Sequence, residues 1–126
     1  MACSKNRRIR VGKAGEDIAA GFLIKAGHTI LERNWRSGHL EIDLITLAGD
    51  GIHFVEVKSR VFPMEAGPEE NVGYAKRKNM AAAARKWMKT AGKDDLECRF
   101  DVISVVFKDG TYEIEYLPEA FIPIFV

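Results

Sequence analysis

Between two strand-length runs, Leu40–Leu47 and Ile52–Arg60, the chain has only Ala48-Gly49-Asp50-Gly51 in which to turn. Gly-Asp is a two-residue hairpin loop, so the runs pair antiparallel, and because side chains alternate with period two the loop also decides which residues face each other. With Gly49-Asp50 as the loop, Ala48 opposes Gly51, Asp43 opposes Glu56 and Glu41 opposes Lys58; with Asp50-Gly51, Asp43 opposes Lys58 instead. In either register Glu41, Asp43, Glu56 and Lys58 share one face, with Ile45 and Phe54 further along it. Leu40, Ile42 and Leu44 take the other face of the second strand, and Val55 and Val57 that of the third. Only a bulge or an odd loop would separate the four polar groups.

The remaining elements assemble around this hairpin. Ile18, Phe22, Leu23 and Ala26 recur at helical spacing and predict a first helix over 12–26, stopped at Gly27, with Glu16 on the shoulder of its apolar stripe. Thr29–Trp35 reads as a strand before the hairpin. A second helix follows over 72–91, with Met80, Ala84, Trp87 and Met88 buried, then strands at Arg99–Phe107 and Thr111–Leu117 joined by Lys108-Asp109-Gly110. The order α-β-β-β-α-β-β is that of an α/β protein with a central mixed sheet flanked by two helices. At 126 residues, 47% hydrophobic and 29% charged, the chain suits one domain over 1–126. Residues 1–11 are expected to form a basic arm, and 118–126 an apolar tail that packs on the core or on a second copy. The segment 61–73, with Pro63, Gly67 and Pro68, is long for a loop without a use and suits a substrate-binding flap.

Charge is balanced overall, with 19 Lys and Arg against 18 Asp and Glu, but segregated. Basic residues crowd the N-terminus, and Lys76, Arg77, Lys78, Arg85, Lys86, Lys89 and Lys93 follow one another without an acid among them. One face can therefore meet a polyanion, although a solvated helix face reads the same way. The N-terminal stretch lacks an apolar signal region, and no run is long enough to span a bilayer, so the expectation is a cytoplasmic protein with no membrane partner. Cys3 and Cys98 read as free thiols. There is no Walker loop and no G-x-S-x-G elbow.

Carboxylates opposed across a hairpin stand about 4.5–5.5 Å apart at Cβ and repel unless a cation offsets them. Asp43 and Glu56 offer the hard oxygens that Mg²⁺ takes, and Lys58 can orient or deprotonate a water beside them, an arrangement suited to a phosphodiester. A solvent-facing salt-bridge patch is the bland alternative, and the apolar Ile45 and Phe54 on the same face argue against it. A retaining glycosidase pair of carboxylates would lack a sugar-stacking aromatic there.

Asp43 followed by Glu56-Val57-Lys58 resembles the PD-(D/E)xK nuclease motif, and the element order resembles that superfamily's restriction-endonuclease-like αβββαβ core. More closely, Gly15-Glu16, Arg33-Asn34, Glu41-Ile42-Asp43-Leu44-Ile45, Phe54-Val55-Glu56-Val57-Lys58 with Arg60, Lys76 and Arg99-Phe100-Asp101-Val102 resemble the YraN family of small bacterial proteins similar to Holliday-junction resolvases. Leu40 departs from the pattern, which has Gly before the E-I-D block. The resemblance implies Asp43 and Glu56 as ligands of Mg²⁺ or Mn²⁺ with the Val57 carbonyl, Lys58 as catalytic lysine, and Glu16 as a further acid reaching the metal. It implies Lys76 on a phosphate; the basic second helix adds Arg77, Lys78 and Arg85, and the third strand Arg60, as further expected nucleic-acid contacts. Glu41 belongs to the motif without an assigned role and is expected to pair with Lys58 or Arg60. The implied function is a metal-dependent nuclease acting on DNA, branched or structured, as a monomer or homodimer; the alternative is a non-catalytic nucleic-acid-binding module that keeps the fold. Other polar residues read as structural: His53 projects away from Glu56, His28 lies in a turn, His39 is solvated, Trp87 is core, and Asp101 partners Arg99 or a helix end.

Overall fold

A computed structural model describes residues 3–63 and 73–121. The elements are α1 (Cys3–Lys25), β1 (Thr29–Ser37), β2 (Leu40–Ala48), β3 (Gly51–Val61), α2 (Tyr74–Thr90), β4 (Cys98–Lys108) and β5 (Thr111–Leu117). This is an α/β fold with a five-stranded mixed sheet in the order β1-β2-β3-β4-β5, parallel only between β3 and β4, where α2 makes the crossover. It is consistent with a restriction-endonuclease-like core. Helix α1 starts well before the expected boundary, so residues 3–11 continue the helix rather than form an arm. No Gly or Pro lies between Cys3 and Val11 to interrupt it. Most of the proposed flap, and the tail from 122, lie outside the described residues; Phe121 packs on Phe100, with ring centroids 5.5 Å apart.

The sheet separates two cores. On the α2 side Ile45, Ile52, Phe54 and Phe100 meet Met80, Ala83, Ala84, Trp87 and Met88. Phe54 stacks on Phe100 and takes the edge of Trp87, so the expected core role of Trp87 holds. On the α1 side Leu44, Val55, Ile103 and Val105 meet Ala19, Ala20 and Leu23. Burying each large aliphatic or aromatic side chain contributes about 1.5–3 kcal/mol, so both helices are held mainly by these faces.

Helix α1 approaches β3 very closely at one point. A Cβ on Gly15 would lie 1.8 Å from Ser59 Oγ and 2.8 Å from Ser59 Cβ, so only glycine lets the helix backbone rest on this strand. The neighbouring Glu16 is thereby brought down to the sheet.

Near the sheet end where β3 begins, on the α1 side, lies a buried polar cluster. His53 Nδ1 donates to Asp101 Oδ2 at 2.5 Å and its Nε2 to Asp50 Oδ1 at 2.7 Å. Asp101 also accepts from Tyr116 Oη and the Glu119 amide, while the His28 ring packs on His53 with centroids 4.6 Å apart and bonds Thr46. Asp101 therefore serves His53, Tyr116 and the residues after β5; Arg99 pairs with Asp50 and Glu119, not with Asp101 as expected. In the parallel register Asp101 lies opposite Val55 and Arg99 opposite His53, and strand alternation turns Arg99 and Asp101 inward together, where the desolvated carboxylate takes the nearest buried donors.

Two outcomes are expected. Gly15→Ala should destabilise by about 1–3 kcal/mol through overpacking, and adding Ser59→Gly should recover part of that loss in a double-mutant cycle read by denaturant unfolding. Burial works against a charged His53, but the Asp101 and Asp50 bonds outweigh it and hold the imidazole above its ordinary 6.5. Its stabilisation is thus complete below that value and disappears as the pH rises through the raised one. His53→Gln should flatten the fall in melting temperature between about pH 6 and 9; an unchanged slope would exclude His53 as its source.

Candidate active site

The centre of interest forms where the β2–β3 ladder ends. Pairing runs from Ala48/Gly51 to Leu44/Val55, the register of a Gly49-Asp50 loop, and at the next step Asp43 Oδ2 accepts the Val57 amide hydrogen at 2.8 Å. On the other flank Arg33 pairs with Leu44 and Trp35 with Ile42, which sets Asn34 beside Asp43. Asn34 has φ of 52°, a left-handed conformation that Asn tolerates better than most residues. This irregularity breaks the strict alternation expected for β2. Leu40 and Ile42 pack with Ile45 on the α2 side while Leu44 lies in the α1-side core, so Leu40, Ile42 and Leu44 do not share a face.

Asp43 and Glu56 come together in this fork and share a hydrogen bond, and Glu16 of α1 adds its charge. Burial, then the charges of Glu56 and Glu16, push the Asp43 carboxyl from its ordinary 3.8 up to about 8, against the opposing pull of the Val57 amide. From the other helix Lys76 Nζ reaches Glu56 Oε2 at 3.0 Å. Burial lowers the Lys76 ammonium, but Glu56 outweighs it, aided by Asp43 and Glu41, and the group is held above its ordinary value. Lys58 lies two residues along β3 from Glu56, opposite Ser104.

The other expected residues fall as follows. Glu41 does not oppose Lys58, because the ladder has ended before it; its carboxylate faces Arg36 Nε of β1 at 3.8 Å. Arg77 is half-buried, and its Nε is buried with no hydrogen-bond partner among the described residues. Lys78 and Arg85 are exposed on α2, and Arg60 lies on β3 opposite Val106. His53 points to the opposite face, as its parity requires. Two contributors went unassigned from sequence alone: the close approach at Gly15 and the left-handed Asn34. The signal for the second is an Asn within a strand-length run.

Among the described residues no group of three or more His, Cys, Asp or Glu side chains is placed to hold a metal by itself. Mg²⁺, however, is commonly held by one or two carboxylates with waters completing its octahedron, and a buried pair of hard oxygen donors under mutual repulsion fits such an ion. Asp43 and Glu56 would hold it, with the Val57 carbonyl.

Fold and centre together define an α/β protein with a carboxylate cluster in the fork of a restriction-endonuclease-like sheet. The sequence profile of an uncharacterised protein family, UPF0102, matches residues 15–105, and the chain belongs to this family. A UPF0102 protein of Nitratidesulfovibrio vulgaris is 41% identical over 114 residues, covering 90% of this chain and 85% of its own. One of Bacteroides thetaiotaomicron is 40% identical over 113 residues, covering 90% and 93%. One of Rhodococcus jostii is 38% identical over 114 residues, covering 90% and 97%. No helix among the described residues is long and apolar enough to cross a membrane.

Because Asp43 ionises in the folded chain only at raised pH, the metal-free protein should lose stability as the pH climbs from about 4 through about 8. Asp43→Asn keeps an acceptor for Val57 and removes the charge. In EDTA it should melt roughly 4 °C or more above wild type at about pH 9, and the difference should shrink steadily to its smallest at about pH 4. Equal melting at the higher pH would show that Asp43 is not strained by its neighbours.

Proposed function

We propose that this protein is a Mg²⁺- or Mn²⁺-dependent nuclease that hydrolyses phosphodiester bonds in branched or otherwise structured DNA. The observation that carries the reading is the meeting of Asp43 and Glu56 where the β2–β3 ladder ends, within the field of Glu16 and with Lys76 drawn onto Glu56. A divalent ion, when bound, supplies Lewis acidity and lowers the pKa of a water. The chain's own residues do the rest. Asp43 and Glu56 would hold the ion, and the Val57 amide fixes the Asp43 carboxylate by donating to its Oδ2. Lys58 orients the attacking water and offsets charge on the phosphate. Lys76 neutralises Glu56 in the metal-free protein and is placed to turn to a substrate phosphate. Arg77, Lys78, Arg85 and Arg60 extend positive potential for the backbone, the sequence-independent part of DNA binding.

The relatives are bacterial, and bacterial DNA lies in the cytoplasm, where this reading sets the protein. A homodimer would present two such centres to two strands.

Labelled duplex, single-stranded, flap and four-way-junction DNA incubated in Mn²⁺ with wild type should be cut, with one structured form preferred. Asp43→Ala and Glu56→Ala should lower the rate at least ~100-fold without unfolding, and Lys58→Ala should lower the rate while leaving Mn²⁺ affinity within about threefold. Cleavage that survives Asp43→Ala would refute the assignment. Tight, salt-sensitive binding with no cleavage by any form would instead establish the non-catalytic DNA-binding module.

A further inference from the structure

Away from the carboxylates, an open cleft of about 590 Å³ lies between α1 and the β4–β5 hairpin. Val11 and Ala14 of α1, Val61 at the end of β3 and Phe107 make its apolar walls. Arg10 and Lys108 stand on it from opposite sides. Tyr112 lines it with its ring packed near Phe107, at 6.4 Å between centroids, yet remains half exposed. Lys108 also lies over the ring of Phe62, 4.4 Å from its centroid, and that ring too is half exposed. Exposed aromatic rings interleaved with cations are what a single nucleic-acid strand uses: bases stack on the rings and phosphates meet the cations.

The position is as informative as the chemistry. Arg10 precedes Glu16 by about 9 Å of helix rise, and Val61 follows Glu56 by about 16 Å of strand. The cleft therefore stands about three to five stacked nucleotide steps from the carboxylate centre. Within a duplex both faces of each base are covered by neighbours, so only an unpaired or splayed base can offer a face to Tyr112 or Phe62. Asp109, the acidic residue on the lining, opposes phosphate but accepts the amino and imino hydrogens of a base edge.

We infer that this cleft binds an unpaired nucleotide of the DNA, stacked on Tyr112 between Arg10 and Lys108 and with Phe62, under Lys108, as a second ring for a neighbouring base, so that the substrate carries a single-stranded segment a few nucleotides from the bond to be cut. The inference rests on the nuclease reading and sharpens its substrate class.

The test is fluorescence anisotropy of the full chain in EDTA, with a labelled single-stranded oligothymidylate and a blunt hairpin duplex of equal charge as the two probes. Tyr112→Ala and Phe62→Ala should each weaken oligothymidylate binding by roughly 5- to 100-fold, the range of a lost base–aromatic stack. Tyr112→Phe should retain wild-type binding, and the blunt duplex should be unaffected by all three. Wild-type affinity of Tyr112→Ala for the single strand would overturn the cleft assignment alone, as would equal losses on both probes. If wild type binds neither probe, the nucleic-acid reading falls together with it. Binding with the expected pattern but without cleavage in Mn²⁺ would leave the cleft standing and remove only the catalysis.

Discussion

Everything about the candidate centre follows from the parting of β2 and β3 after Leu44 and Val55. A continued ladder would have spent the Val57 amide on a main-chain carbonyl and laid Asp43 flat on the sheet. Instead the carboxylate of Asp43 takes that amide, and the strand beside it absorbs the distortion in the left-handed Asn34. Bulges and strained backbone recur beside active sites because they re-aim a side chain without unravelling a sheet. Here the re-aiming brings Asp43 to Glu56 at an opening that two helices can reach.

The helices contribute opposite charges to that opening through different contacts. Helix α1 lies close because Gly15 has no side chain to hold it off Ser59, and this closeness lets Glu16 bear on Asp43. Helix α2 is set by Met80, Ala83, Ala84 and Trp87 on the other face, and that docking presents Lys76 to Glu56. Each charged group is thus placed by apolar packing one turn or so away. Core substitutions in either helix would be felt at the carboxylates without touching them.

Much of this was legible in the residues. Of the two registers the hairpin allowed, the Gly49-Asp50 loop that pairs Ala48 with Gly51 is the one that forms, and the helix and strand order implied the mixed sheet, because hairpin chemistry and hydrophobic period are local properties. The side exchange around Asp43 was not legible, since Leu40, Ile42 and Leu44 alternate as cleanly as any strand; the break falls where the β2–β3 ladder ends, opposite the left-handed Asn34, with the β1–β2 register shift between Ile30 and Glu32 nearby. The cross-strand opposition of Glu41 and Lys58 does not form, the ladder ending before it, and Glu41 faces Arg36 of β1. Nor did the pattern disclose that Asp101 serves His53. That contact depends on the parallel β3–β4 register, which joins segments with a whole helix between them.

The two polar clusters on β3 show how one strand separates stability from function. His53 and Glu56 stand close in sequence on opposite faces, both desolvated and both beside aspartates. Around His53 the account closes: an imidazole between Asp50 and Asp101, with Tyr116, a main-chain amide and Arg99 supplying further donors. Such a network adds rigidity because every charge has its complement. Around Glu56 it does not close. Two carboxylates meet, with Glu16 adding its charge and Lys76 on one of them, and Asp43 is driven to hold a proton that an ordinary aspartate would have lost. Folding alone offers no reason to bury an aspartate that must be kept protonated, since an isosteric amide would serve the Val57 amide as well. A buried carboxyl held protonated beside a second carboxylate, where the ladder ends, is the physical ground for reading the Asp43–Glu56 face as the working face and the His53 face as its support.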